Sequence, residues 1–186
     1  MTPTIIDCLI LTGNNQSHEH QNTWIAAYLD CALESLTIDR TKKPKLISHP
    51  NTHFSVSHTD QFMMICFSNQ PIGCDIELLN RAISQRAINR GLETPKYSGE
   101  SMVKVWTAWE AYCKATGTGL HFPIQTIAFS QSQSFAWQSL CCSVAALTDD
   151  FELRVFQIPE VQNSEQGIVH KRQWLPVTDV KWLPLK

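Results

Sequence analysis

The chain has 186 residues and a formal net charge of −2, from 15 Lys+Arg against 17 Asp+Glu. That balance excludes the broad basic surface with which nucleic-acid and membrane-surface binders capture phosphate. An apolar content of 43% is enough to bury a core in one large domain or two small lobes, and the longest uninterrupted apolar run, residues 62–67, is far short of the ~20 that cross a bilayer.

In chain order, residues 4–11 form an apolar run without a 3.6-residue period that ends in Thr-Gly-Asn-Asn, which predicts a buried strand and a turn. No basic stretch precedes it and Asp7 comes early, so a signal peptide is not expected. After a polar loop, Asn22 is placed to cap a helix with apolar positions Ile25, Tyr28, Leu29, Ala32, Leu33 and Leu36. Residues 40–45 (RTKKPK) form a basic connector. Strands are expected at 53–57, 61–68 and 71–77, the last two flanking Asn69-Gln70 as an antiparallel hairpin. A short helix from Asn80 towards Gly91, a loop over 93–99 and a helix over 100–116 with Gly117 at its C′ position come next. Strands at 124–130, 135–147 and 151–158 close the fold, followed by a polar and then Trp/Pro-containing tail. The seven cysteines include no C-x-x-C pair, and most sit among apolar neighbours, as expected of reduced thiols in a cytoplasmic protein.

Three segments carry chemistry. In Gly73-Cys-Asp75-Ile-Glu77, a strand would turn both acids to one face, with Cα atoms ~6.5 Å apart. They either face water at a strand end or converge on a hard cation such as Mg²⁺. In the helix, Trp106, Glu110 and Lys114 form one stripe. Glu110 and Lys114 there make either an exposed ion pair or a carboxylate with a phosphate-neutralising lysine. In Phe54-Ser-Val-Ser57-His58, adjacent strand residues point to opposite faces, so Ser57 and His58 suit anion contacts better than a nucleophile–base pair. His18, His20, His49, His53 and His58 raise a zinc-binding interaction protein as a rival, although no thiolates accompany them at finger spacing.

Taken together and in this order, these segments resemble the 4′-phosphopantetheinyl transferases, in particular the large monomeric type that activates peptide synthetases. Lys43-Pro44 matches that family's K-P pair and Phe54-Ser-Val-Ser57-His58 its F-x-x-S-H strand. Gly73-Cys-Asp75-Ile-Glu77 matches G-x-D-x-E, and Trp106 through Leu120 matches W-x-x-K-E-x-x-x-K-x-x-G-x-G-L; the likeness spans residues 42–130. It implies an α+β fold of two similar lobes in pseudo-twofold arrangement, each a long helix packed on an antiparallel sheet. Residues 1–70 would form the N-terminal lobe, 71–158 the C-terminal lobe with the metal site, and 159–186 a tail or arm. Coenzyme A would lie in the cleft as co-substrate, with Lys43 and Pro44 along its nucleotide and Ser57, His58 and Lys114 on its phosphates. Mg²⁺ (or Mn²⁺) would be held by Asp75, Glu77 and Glu110, with Glu110 and Lys114 catalytic and Glu110 the candidate base. The implied reaction moves the phosphopantetheine arm onto a serine of an acyl or peptidyl carrier protein, carried out by a cytoplasmic monomer. Carrier proteins are acidic around that serine, and Arg81, Arg86 and Arg90 offer either a docking stripe or a merely solvated face.

Two positions depart from the pattern. Trp109 stands where the family has a lysine, and no Lys or Arg precedes Arg40. The coenzyme's 3′-phosphate is then left to His18, His20 or the 40–45 cluster; otherwise affinity is weak or dephospho-coenzyme A is tolerated. A catalytically weakened relative that binds coenzyme A or a carrier without efficient transfer is the alternative these departures raise.

Overall fold

A computed structural model describes residues 3–13, 16–83, 100–120, 131–148, 150–158 and 174–183. The order is β1 (Thr4–Thr12), α1 (His18–Leu29), β2 (Ile38–Asp39), β3 (Lys45–Leu46), β4 (His53–Thr59), β5 (Phe62–Ser68) and β6 (Ile72–Leu78). Then follow α2 (Glu100–Thr116), β7 (Ser132–Trp137), β8 (Leu140–Ala146), β9 (Phe151–Ile158), β10 (Leu175–Pro176) and β11 (Lys181–Leu183). The class is mixed α+β. Five strands form one sheet in the order β10-β9-β1-β5-β4, four form a second in the order β11-β7-β8-β6, and β2-β3 is a small ribbon.

Alternation along the strands sets the layers. Ile6, Cys8 and Ile10 of β1, with Phe62, Met64 and Cys66 of β5, pack on Ile72, Cys74 and Ile76 of β6 and on Leu140, Cys142 and Val144 of β8, so the sheets share one core. The opposite face of the first sheet, Leu9, Leu11, Met63, Ile65 and Phe67, receives Trp24 and Ile25 of α1. On the outer face of the second sheet, Ala111 and Ala115 of α2 pack against Ala145. The layers therefore run helix, sheet, sheet, helix. This explains why β5 and β8 read as continuous apolar runs: both are covered on two faces and every residue in them is buried.

Five expectations are corrected. Ser17, not Asn22, caps α1, its Oγ accepting from the His20 amide at 3.2 Å. The helix stops at Asp30, which takes a left-handed φ of 54°, so Leu33 falls in a short 3₁₀ turn and is exposed. Asn69-Gln70 makes no hairpin: neither residue has the positive φ of such a turn, and the chain passes there from the first sheet to the second. The tight turn lies instead at Asp60-Gln61 between β4 and β5, with Asp60 at φ 48°. The expected strand 135–147 is broken by a second tight turn, where Gln138 has φ 53°, giving β7 and β8. Finally, the first sheet is not purely antiparallel, because β9 leaves the 71–158 half and pairs in parallel with β1 from Thr4↔Phe151 to Leu11↔Ile158. The expected strand at 124–130, the loop at 93–99, and the helix towards Gly91 beyond residue 83 lie outside the described residues.

The segment 174–183 straps the sheets together. Its β10 extends the first sheet beside β9 and its β11 extends the second beside β7, while Val177 and Val180 between them pack on the shared core. Trp174 opens the strap by stacking on Tyr28 (5.9 Å between centroids, 9° between planes) and against Phe156. Trp174→Ala is expected to cost about 2 kcal/mol, below the ~3–5 kcal/mol of buried aromatic truncations because the ring is only half-buried. Chemical denaturation checks this; an unchanged midpoint would mean that the strap bears no load.

Candidate active site

The two sheets meet edge to edge at β4 and β6, and the site is built on that junction. Ser55, Ser57 and Thr59 lie at i, i+2 and i+4, so their hydroxyls line one face of β4. Each takes a partner on β6: Ser55 Oγ accepts from the Cys74 amide at 3.0 Å, Ser57 donates to Asp75 Oδ1 at 2.7 Å, and Thr59 donates to Glu77 Oε2 at 2.9 Å. Side chains thus replace a backbone ladder at the seam. Gly73, Asp75 and Glu77 occupy alternate positions of β6 and share the face that meets α2.

Gly73 is the close-approach point. A Cβ there would collide with the α2 backbone at Ala111 O and Ala115 N and lie 2.8 Å from Lys114 Cβ. Small residues on both sides let the helix sit low on the sheet, with Thr107 Oγ1 2.7 Å from Ser143 Oγ. The i, i+4 spacing then brings Glu110 and Lys114 over Asp75. The Lys114 ammonium donates to Asp75 Oδ1 at 2.8 Å, Ser57 Oγ at 3.0 Å and Cys74 O at 3.0 Å, and its Nζ stands 3.9 Å from Glu110 Oε2. Burial opposes the Lys114 charge, but Asp75, Cys74 and Glu110 around it hold its pKa above the ordinary lysine value. Burial first, and the neighbouring Asp75 carboxylate second, push Glu110 up to about 7 against the opposing pull of Lys114 and Arg81.

Asp75 is only 2% exposed, and its Oδ2 is buried without a hydrogen-bond donor. A carboxylate oxygen so placed is costly unless a cation or donor arrives. Among the described residues no three His, Cys, Asp or Glu side chains gather as a metal-binding group. Two carboxylates are enough for Mg²⁺, which completes its shell with water and substrate phosphate. The orphaned Oδ2 and the adjacent Glu110 fit such an ion.

Beside this cluster a cavity of about 430 Å³ opens between the basic connector and α2. Arg40, Lys43, Glu110 and Lys114 supply its polar wall, and Pro44, Phe54, Val56 and Leu120 its apolar wall. The Lys43 ammonium donates to Ala115 O at the end of α2 at 2.7 Å, pinning the connector to the helix where carbonyls are otherwise orphaned. Arg40 donates to Asn22 Oδ1 at 2.7 Å, tying the connector to α1 as well. Gly117, at φ 74°, ends α2 and returns its amide to Cys113 O at 2.9 Å, as expected for a C′ residue.

Lys43, Pro44, Glu110 and Lys114 therefore border the cavity, with Asp75 and Ser57 behind them at the carboxylate cluster. His58 is exposed, one residue out of phase with Ser57 and so on the other face of β4. Glu77 is held by Thr59 and Arg81. Arg81 thereby takes part in an ion pair; Arg86 and Arg90 lie outside the described residues. Trp109 is fully buried and packs edge-on against Trp106, with centroids 5.0 Å apart, so the position before Glu110 faces the core rather than the cavity. The residues that sequence reasoning missed are Gly73 as a helix seat, and Ser55 and Thr59 as seam hydroxyls. The period-two spacing of hydroxyls in Ser55-Val-Ser57-His-Thr59 was the available signal.

No protein-family model matches the chain. It is 24% identical over 170 residues to the 4′-phosphopantetheinyl transferase gsp of Aneurinibacillus migulanus, covering 75% of this chain and 72% of that protein. It is 29% identical over 94 residues to the 4′-phosphopantetheinyl transferase Sfp of Bacillus subtilis (strain 168), covering 45% of this chain and 42% of that one. A further 4′-phosphopantetheinyl transferase of Bacillus subtilis matches at 26% over 108 residues, 53% of this chain and 48% of the relative.

Proposed function

We propose that this member of the Sfp-like 4′-phosphopantetheinyl transferase superfamily moves the phosphopantetheine arm of coenzyme A onto a serine of an acyl or peptidyl carrier protein, at the β4–β6 seam. The observation that carries this is that Glu110 and Lys114, on one wall of a cavity whose other wall is basic and apolar, meet the buried Asp75 directly behind them. A phosphoryl-centre displacement demands positioning and charge neutralisation more than covalent help. Lys43 and Arg40 suit the phosphates, and Phe54, Val56 and Leu120 offer apolar surface to the rest of the coenzyme. Glu110, on the cavity wall, suits proton removal from the carrier serine, directly or through a water. Lys114 holds Asp75 in place and balances negative charge beside the reacting phosphate.

Asp75, through Oδ2, and Glu110 are the residues that would hold Mg²⁺ or Mn²⁺, which when bound supplies neutralisation of the diphosphate. Ser57 serves this site through Asp75 and Lys114, whereas the exposed His58 is not among the described residues that line the cavity. The helix–sheet–sheet–helix order supports two lobes in pseudo-twofold arrangement, with residues 1–70 and 71–158 as their main bodies and β9 exchanged between them. A monomer suffices, since one chain supplies every group named here. Seven cysteines that form no disulfide suit a reducing compartment such as the cytoplasm.

The test is to incubate the protein with apo carrier, coenzyme A and Mg²⁺ and weigh the carrier by mass spectrometry. A gain of the phosphopantetheine mass, abolished by chelator and restored by Mg²⁺ or Mn²⁺, is expected. Coenzyme binding with no gain would instead favour the weakened-relative reading that Trp109 raises.

Lys43 gives a pH dependence. Burial, then the nearby Lys45 charge, lowers its pKa to about 8. Below that value the ammonium is charged and attracts phosphate; above it the charge is lost. The KM for coenzyme A is therefore expected to rise as pH climbs through 8 to 9, and Lys43→Met should flatten that rise. Parallel pH profiles for the two proteins would remove Lys43 from the phosphate site.

A further inference from the structure

The connector and β4 also border a second cavity, of about 290 Å³, which shares no described lining residue with the first. Adjacent strand residues point to opposite faces, so Phe54 lines the first cavity and His53 the second. Along the connector the first takes Lys43 and Pro44, and the second takes Lys45, Leu46 and Ile47. The polar lining of the second is Lys45, Thr52 and His53. That lining is cationic without a counterion. Burial, and then the ammoniums of Lys43 and Lys45, hold the His53 imidazole below its ordinary pKa. Among the described residues none of these three forms an ion pair, and the Lys45, Thr52 and His53 side chains make no hydrogen bond. Asp39, which faces Lys45 across the β2–β3 ribbon, gives its Oδ1 to the Thr41 amide and hydroxyl at 2.9 and 2.8 Å. Like charges left uncompensated by the fold are relieved by an anion. Ile47, 56% exposed, adds apolar surface at the same place.

We propose that this second cavity binds a small organic phosphomonoester, separate from whatever the first cavity holds. The dianion is held by Lys45, Thr52 and His53, and the apolar body lies against Leu46, Ile47 and Pro50. A tetrahedral dianion accepts from an ammonium, a hydroxyl and a protonated imidazole at once, whereas a carboxylate monoanion leaves part of the cationic charge unmatched. Binding draws in a proton, because an imidazole whose charge two ammoniums oppose becomes cationic once a dianion lies beside it. The site is independent of the transferase reading, since no group assigned to transfer lines it.

The test titrates the full chain with phenyl phosphate, following heat by calorimetry and the histidine ring signals by NMR, with the His53 signal identified by its loss in His53→Gln. Phenyl phosphate is expected to bind at least about fivefold more tightly than inorganic phosphate, because its ring covers apolar surface. It should raise the His53 pKa by about one pH unit and leave the exposed His18 unmoved. Lys45→Met and His53→Gln should each weaken binding at least about fivefold, and Ile47→Ser should remove the preference over inorganic phosphate. Thermal unfolding of each variant controls for damage to the fold. Saturating coenzyme A should leave the His53 response to phenyl phosphate in place. Loss of that response to coenzyme A, a His53 ring that never responds, or unchanged affinity in a folded Lys45→Met protein would overturn the site. Any of these leaves the transferase reading standing, and a carrier that gains no mass leaves this site standing.

Discussion

Glu110→Gln is expected to lower the transfer rate by about a thousandfold, within the range typical of removing a positioned general base. The substitution keeps the size and helical preference of the side chain, so α2 should stay seated on β6 through Gly73, Ala111 and Ala115. What it removes is a carboxylate held at a pKa of about 7 by burial and by Asp75. A glutamine at that position neither takes a proton nor adds negative charge beside Asp75 Oδ2. Coenzyme affinity measured without the divalent cation should be little changed, because Lys43, Arg40 and the apolar wall are untouched. Steady-state kinetics with an apo carrier check the rate. A rate within tenfold of wild type would remove Glu110 from the chemistry.

Gly73→Ala is expected to have the largest effect on the fold of any single change at the site. The added methyl would meet backbone atoms of α2, at Ala111 O and Ala115 N, which cannot rotate away as the end of a flexible side chain could. The helix must rise off the sheet, or β6 must retreat from β4 and break the Ser55–Cys74 hydrogen bond. Overpacking of this kind costs about 3 kcal/mol, equivalent to a fall of roughly 6–12 °C in Tm for a chain of this size. Transfer should fail even where the protein stays folded, since lifting α2 carries Lys114 and Glu110 away from Asp75. Thermal unfolding together with the carrier assay measures both parts. An alanine variant of unchanged Tm would show that α2 does not rest on this glycine.

Which side chains share a face within β6 and within α2 was legible because local periodicity decides it, while their role as one site was implied only by the family resemblance. Period two places Asp75 and Glu77 on one strand face, and the helical stripe places Glu110 and Lys114 together. The helix bounds at 100–116 and the C′ glycine followed from the same local rules. What could not be read was which edge strand lies against β6, because that is set by how two whole sheets pack. The roles of Ser55, Ser57 and Thr59 as seam hydroxyls are consequences of that packing. The Asn69-Gln70 expectation failed for a related reason: the turn residues fit a hairpin, but the shared core is buried by sending β6 to pair with β8. Asn22 suits a cap by type, but the start of α1 is fixed by the Ser17 hydroxyl accepting from the His20 amide. The parallel pairing of β9 with β1 joins residues some 147 positions apart, as in the Arg154–Asp7 ion pair, and no local pattern announces it.

The distribution of charge around the cluster is also compatible with the proposed cation site in a chain of low charge. Lys114 satisfies one oxygen of Asp75, the Glu110 pKa near 7 limits repulsion from a second carboxylate, and Arg81 neutralises Glu77. The remaining orphan, Asp75 Oδ2, is the atom on which the account rests. The most direct measurement is a crystal of the protein with coenzyme A and Mn²⁺, with the ion located by its anomalous scattering. The expected result is a peak between Asp75 Oδ2 and Glu110 with the coenzyme's diphosphate beside it in the Lys43–Lys114 cavity. A coenzyme bound on another surface, or an ion that leaves Asp75 uncoordinated, would contradict it.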